Sequence, residues 1–168
     1  MTKRFFTGLT LLALGAALVA CGDSEQVMMV GEPQPVQLKQ HENYRDFGDY
    51  VVHFNALNTS DLPAEVARAY GIQRSDSRAL LNFVILREEE GTTGVPVTGS
   101  VAVTATNLTG QLKTITMREI IEEDGNGIYY IGETPVTHRE TLIYTIDVTP
   151  INEKSRFSAI YKKEFYTD

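Results

Sequence analysis

Tryptophan is absent from this chain, cysteine occurs once, and no stretch is rich in cations. A single thiol excludes a disulfide framework and the C-x-x-C redox pair. No apolar run reaches the roughly 18 residues that mark a membrane-spanning helix. Fifteen basic residues against 22 acidic ones leave a net charge of -7. Nucleic acid is therefore not an expected partner, because phosphate binding needs a basic footprint. Also missing are the G-x-S-x-G elbow, the H-E-x-x-H metal helix and a phosphate-cradling glycine loop. No enzyme and no cofactor are expected. What is present is 42% hydrophobic and 9% aromatic over 168 residues. That is enough for one domain whose core forms without metal or disulfide staples.

The front of the chain reads as an address. Lys3 and Arg4 precede sixteen uncharged residues, Phe5 to Ala20, rich in Leu and Ala. This is the charged and then apolar pattern of an export signal. As a helix the run would reach about 24 Å, short of the roughly 30 Å hydrocarbon core. Leu18-Val19-Ala20-Cys21-Gly22 resembles the lipobox of bacterial lipoproteins. That resemblance implies that Cys21 is diacylated on sulfur, that cleavage occurs before it, and that the new amine takes a third chain such as palmitate. The competing reading is a plain secretory peptide cut near Ala20, with Cys21 a free thiol. A lone thiol in an exported chain is a reactive liability, which favours the modified form. Gly22 after the lipid site points to the outer membrane, although Asp23 follows one place later. The expected organisation is residues 1–20 as signal peptide, 21–34 as lipidated tether and 35–168 as the folded domain. Loss of Lys3 and Arg4 leaves 13 basic and 22 acidic residues, a net charge of -9. Anionic headgroups would repel such a domain, so its hold on the bilayer must come from the lipid.

Gly22 to Gln34 is small and polar, punctuated by Gly31 and Pro33 and interrupted only by Met28-Met29-Val30. Beyond it, period-two alternation dominates. Val95 to Asn107 puts Val95, Val97, Val101, Val103 and Ala105 on one face and Thr98, Ser100, Thr104 and Thr106 on the other. Ala79 to Arg87 is apolar on both faces, which predicts a central strand. Leu112 to Glu122, Ile128 to Ile131, Thr141 to Val148 and Phe157 to Tyr166 carry the β-branched and aromatic signature. Asp124-Gly125-Asn126-Gly127 predicts a hairpin turn. One helix of roughly eight residues is expected, capped by Asp61 or Ser60, with Pro63 in its first turn and Gly71 closing it. Leu62, Val66 and Ala69 or Tyr70 would line its apolar side and seal the end or edge of a sheet. The pattern predicts an all-β, immunoglobulin-like antiparallel β-sandwich of seven to eight strands with one short helix, preceded by a signal peptide. The alternative is a small β-barrel.

Three features suggest sites. In Tyr50 to Leu57, alternation turns Tyr50, Val52, Phe54 and Ala56 inward, leaving His53 and Asn55 side by side on the opposite face, about 7 Å apart along the strand. An imidazole and a carboxamide so placed can orient a ligand or a partner's main chain, or simply bond a neighbouring strand. Arg74 is the third candidate binding residue. His41, His53 and His138 with Met28, Met29 and Met117 offer soft ligands for copper, but no two form a close pair, so no metal site is expected. Glu88-Glu89-Glu90 and Glu122-Glu123-Asp124 flank turns without a calcium-loop pattern.

Phe47-Gly48-Asp49-Tyr50-Val51-Val52-His53-Phe54-Asn55, Tyr70-Gly71-Ile72-Gln73-Arg74-Ser75, Asn107-Leu108-Thr109-Gly110-Gln111 and Ile128-Tyr129-Tyr130-Ile131 together resemble the bacterial family known as domain of unknown function 4426. The resemblance spans nearly the whole mature chain. It implies an exported β-rich domain and assigns no catalytic residue. The expectation is a lipid-anchored, periplasm-facing module, on the outer membrane, that binds another cell-envelope component without catalysis. The alternatives are a periplasmic small-molecule or metal carrier with a pocket between the sheets, and a hydrolase with a histidine bonded to a serine and a carboxylate.

Overall fold

Residues 39–167, apart from 124 and 126, are described by the computed structural model of the chain. The expected signal peptide, Cys21, the tether and Met28-Met29 lie outside the described residues, as do Asp124, Asn126 and the His41 side chain. The strands are β1 (Lys39–His41), β2 (Tyr44–Asp46), β3 (Tyr50–Asn58), β4 (Arg78–Arg87), β5 (Val95–Pro96), β6 (Gly99–Asn107), β7 (Leu112–Lys113), β8 (Arg118–Ile121), β9 (Ile128–Pro135), β10 (Glu140–Pro150) and β11 (Phe157–Phe165). A 3-10 turn at Thr59–Asp61 leads to helix α1 (Ala64–Ala69). One sheet runs β1-β2-β3-β4-β9-β8, with β5 also paired to β4, and the second runs β11-β10-β6-β7. Every pairing is antiparallel. The molecule is the expected all-β sandwich. The barrel alternative is not formed, since β1 and β8 bound one sheet and β11 and β7 the other.

Seven strands have four residues or more, and the other four are fragments of two or three. Two of those fragments explain where the expected strands differ. The alternating run from Val95 to Asn107 is cut at Val97 and Thr98, where the chain leaves the first sheet and enters the second. Val97 N–H still donates to Ile85 O of β4 at 2.9 Å, whereas Gly99 already faces Pro150 of β10. Gly99 permits that entry, because a Cβ there would lie 2.7 Å from Thr149 O. Leu112 to Glu122 is broken in the same way. β7 belongs to the second sheet, β8 to the first, and Ile115 and Met117 cross between them over Gly132, where a Cβ would lie 2.5 Å from either side chain.

The core lies between the sheets. Val52, Phe54, Leu81, Phe83 and Ile85 meet Tyr144, Ile146, Val148, Tyr161 and Phe165. Phe83 stacks on Tyr130 at 5.1 Å and Phe54 tilts against Tyr161 at 4.9 Å, contacts that add to area burial. Tyr130 also links the layers: its hydroxyl accepts from Gly99 N–H at 2.8 Å and donates to Glu119 Oε1 at 2.5 Å. Burial and then that carboxylate push its pKa well above the ordinary phenol value. Residues far apart in sequence fasten the rim. Arg45 of β2 lies over the Phe54 ring at 5.2 Å and donates to Ile160 O of β11 at 2.6 Å. Tyr50 donates to Glu153, and buried Asn58 donates to Asp76 O and Tyr166 O.

Tyr144 is fully buried, and its hydroxyl has no hydrogen-bond partner among the described residues. A dry hydroxyl costs about 1–3 kcal/mol when unsatisfied. Tyr144→Phe should therefore leave urea stability unchanged or raise it by up to about 1 kcal/mol. A loss of more than that would show that the hydroxyl is satisfied.

Helix α1 differs from expectation in three respects. Neither Ser60 nor Asp61 caps it. Pro63 occupies the N-cap position, and its carbonyl accepts Ala67 N–H at 3.0 Å. The buried side presents Leu62, Ala67 and Tyr70, followed by Ile72, while Ala69 is exposed. The helix also does not seal an end or edge. It packs on the outer face of the larger sheet, against Leu80, Ile120, Tyr129 and Ile131. Gly71 closes it at φ +64° as expected, and Ile72 N–H reaches back to Ala67 O at 2.8 Å. Among the described residues no helix is long and apolar enough to cross a membrane.

Candidate functional site

The outer face of the larger sheet is the surface from which a site can be assembled. Registers between strands fix which side chains meet there. His53 faces Tyr44 on β2 and Val84 on β4, and Asn55 faces Asn82, which faces Ile131 on β9. Tyr129 stands beside them and faces Ile120 on β8. α1 covers only part of this face. Where it does not, Asn43, His53, Asn55, Asn82, Val84 and Tyr129 line a shallow hollow of about 360 Å³. Where it does, an apolar cleft of about 130 Å³ opens between the helix and the sheet, lined by Leu62, Val66, Tyr70, Ile72, Leu80, Ile120 and Ile131. Asn82 and Tyr129 line both spaces, so the two adjoin on one sheet face and together are called the groove.

The two ends differ chemically. At the polar end the side chains of His53, Asn55 and Asn82 make no hydrogen bond among the described residues. The His53 ring packs against Tyr44 at 5.3 Å. Burial lowers its pKa below the ordinary imidazole value, opposed by the carboxylate of Glu88. The neutral ring, with one donor and one acceptor, is thereby favoured near neutral pH. At the apolar end Glu122 reaches the cleft, accepting from Tyr70 Oη at 3.3 Å, and Arg118 donates to Tyr70 O at 2.7 Å. Burial, the Glu122 carboxylate and neighbouring Tyr129 all raise the Tyr70 pKa.

Of the residues singled out in the sequence, His53 and Asn55 share this groove. Arg74 does not. It is exposed beyond α1 and donates to Ser60 O at 2.5 Å, which ties the loop after the helix to the 3-10 turn. The sequence alone does not single out Asn82, Tyr129, Tyr70 or Glu122 as binding residues. A signal for Asn82 exists, because it is the polar exception between Ala79 and Leu86 of β4, and antiparallel pairing with β3 sets it opposite Asn55.

The described histidine side chains, His53 and His138, lie apart in the fold. His138 sits in the turn before β10 with Nδ1 at 2.6 Å from Thr167 O, far in topology from the groove. Neither described histidine side chain is bonded to a serine, cysteine or carboxylate, and among the described residues no group of three His, Cys, Asp or Glu could hold a metal ion.

Residues 44–168 match the family described as Domain of unknown function (DUF4426). In structure the chain is similar to a DUF4426 family protein from Pseudomonas aeruginosa PAO1, with a TM-score of 0.61 and 34% identity, covering 74% of this chain and 94% of that one. It is also similar to FetP of uropathogenic Escherichia coli strain F11, recombinantly expressed in the periplasm, with a TM-score of 0.50 and 13% identity over 71% of this chain and 90% of that one. At that identity the likeness is one of fold. No curated protein matches the chain in sequence.

Proposed function

The chain belongs to the DUF4426 family, and we propose that it is a non-enzymatic binding module of the cell envelope, exported and held by lipid on Cys21, that engages another envelope component along the groove of the larger sheet. The observation that carries this reading is the groove itself. Three polar side chains that make no hydrogen bond among the described residues, His53, Asn55 and Asn82, adjoin an apolar cleft on a sheet face that α1 leaves partly open. Donors and acceptors beside an apolar cleft are what an extended segment needs, since its main chain is bonded while one side chain is buried. The anchor rests on Lys3-Arg4, the apolar run and Leu18-Val19-Ala20-Cys21-Gly22. Three acyl chains exceed the two signals that stable anchoring requires. Gly22 favours the outer membrane, with the domain facing the periplasm. A sandwich shared with a protein produced in the periplasm suits that setting.

The test is photo-crosslinking in cells from Asn55 and Asn82, with Thr104 on the outer face of the other sheet as reference. A discrete adduct from the first two positions and none from Thr104 is expected. Equal labelling from all three, or no adduct from any, would end the proposal. Changing Cys21 to Ala in the same cells should move the protein from the membrane to the soluble fraction, and a variant still wholly in membranes would refute the lipid anchor.

A further inference from the structure

The apolar end of the groove carries a charge that its own neighbours do not neutralise. Glu122 stands at the cleft with Tyr70 Oη as its partner at 3.3 Å, and none of the ion pairs among the described residues includes it. Arg118, at the start of the strand that leads into Glu122, donates to Tyr70 O. The main chain of Glu122 is held by the turn that follows β8. Glu122 N–H donates to Gly127 O at 2.9 Å, and Gly125 N–H donates to Glu122 O at 2.8 Å. A Cβ on Gly127 would fall 2.9 Å from Glu122 Oε2 and 2.8 Å from the edge of the Tyr129 ring. Glu122, Tyr70 and Tyr129 thus converge at one mouth, above a floor of Leu80, Ile120 and Ile131.

We infer that this cleft is a receptor for a cation on a hydrocarbon stem, the side chain of a lysine in the segment bound along the groove. The inference rests on the groove being a binding surface and goes on to name what its deep end takes. Size agrees: a dry cavity of roughly 150 Å³ admits benzene, so 130 Å³ holds about five heavy atoms, the number in a lysine side chain beyond Cα. Chemistry agrees as well. Methylenes are drawn from water onto leucine and isoleucine, and the ammonium meets a carboxylate. An acidic or neutral apolar side chain would leave Glu122 repelled or desolvated without compensation. The net charge of the chain, -7, draws basic partners toward it from a distance.

The full chain, in lipid nanodiscs, should be titrated with n-butylammonium, and with n-butanol and butyrate as uncharged and anionic matches, following the methyl resonances of Ile72, Ile120 and Ile131. Saturable shifts with butylammonium, at least tenfold weaker binding of butanol and none of butyrate are expected. Glu122→Gln should bring butylammonium and butanol to the same affinity. Gly127→Ala, which pushes against both Glu122 and Tyr129 without removing a charge, should weaken butylammonium as well. Equal binding of the alcohol and the ammonium by the unaltered chain, an unchanged preference in Glu122→Gln, or no saturable shift with any probe would overturn the inference. The crosslinks from Asn55 and Asn82 are independent of all these results, so loss of the lysine receptor and loss of the groove as a binding surface are told apart.

Discussion

Replacing Phe83 by alanine is expected to lower the stability of the domain by about 3–5 kcal/mol, the cost of emptying a well-packed aromatic site. Phe83 is 1% exposed, sits at the middle of β4 between β3 and β9, and stacks on Tyr130. Its loss would open a void among side chains from both sheets, with little freedom to collapse because the surrounding strands are paired on both sides. The neighbouring Val84 points to the opposite face, where it is half-buried in the groove. Val84→Ala should therefore cost only about 1 kcal/mol. Urea unfolding of the two variants checks the assignment of faces, and the reverse order would mean that β4 is turned over.

The second large effect concerns the ion pair that reaches from β7 past β6 to β10. Lys113 Nζ lies 2.8 Å from Glu140 Oε1, and both side chains are mostly shielded, at 13% and 8% exposure. Glu140 also accepts from Asn107 Nδ2 at 3.1 Å and from Thr137 N–H at 2.9 Å. Burial alone would raise its pKa. The hydrogen bonds from Lys113, Asn107 and Thr137, together with the lysine charge, outweigh that and hold it below the ordinary carboxylate value. Breaking one side of such a pair costs about 3 kcal/mol, because the remaining charge stays buried without its counterpart. Glu140→Gln should show that loss at neutral pH. Because the folded-state pKa is depressed, the stabilisation is present above the unfolded carboxylate pKa and disappears as the pH falls through the lower, folded value. Denaturation curves at a series of pH values should accordingly converge for the two proteins in acid. A gap that stays constant down to acid pH would show that the ionised carboxylate contributes nothing.

Strand content and the inward face of each strand are readable from alternation alone. β3, β4, β10 and β11 lie within two residues of where period-two patterning puts them. The switches between sheets are not readable, and the reason is physical. At Val97 to Gly99 and at Thr114 to Met117 the chain changes partners without changing which side faces the core, so alternation continues through the break. Only the glycines at the crossings, Gly99 and Gly132, mark close approach, and a glycine in a strand signals crowding without saying by what. The groove is half legible. His53 and Asn55 follow from the parity of one strand, whereas Asn82, Tyr129 and Glu122 join them through pairings across β4, β9 and β8 that a single sequence does not display. Arg74 lies apart from them, in the loop after α1, where one of its N–H groups donates to the Ser60 carbonyl.

The clasp between the beginning and the end of the domain bears on when the molecule can become native. Arg45 reaches Ile160, Tyr50 reaches Glu153 and Asn58 reaches Tyr166. β11 also supplies Phe157, Tyr161 and Phe165 to the interior. Closing loops of more than a hundred residues before any reward is gained makes assembly slow. A nascent polypeptide of this design leaves its two layers unclosed until β11 has left the ribosome, so the early strands wait on the late one.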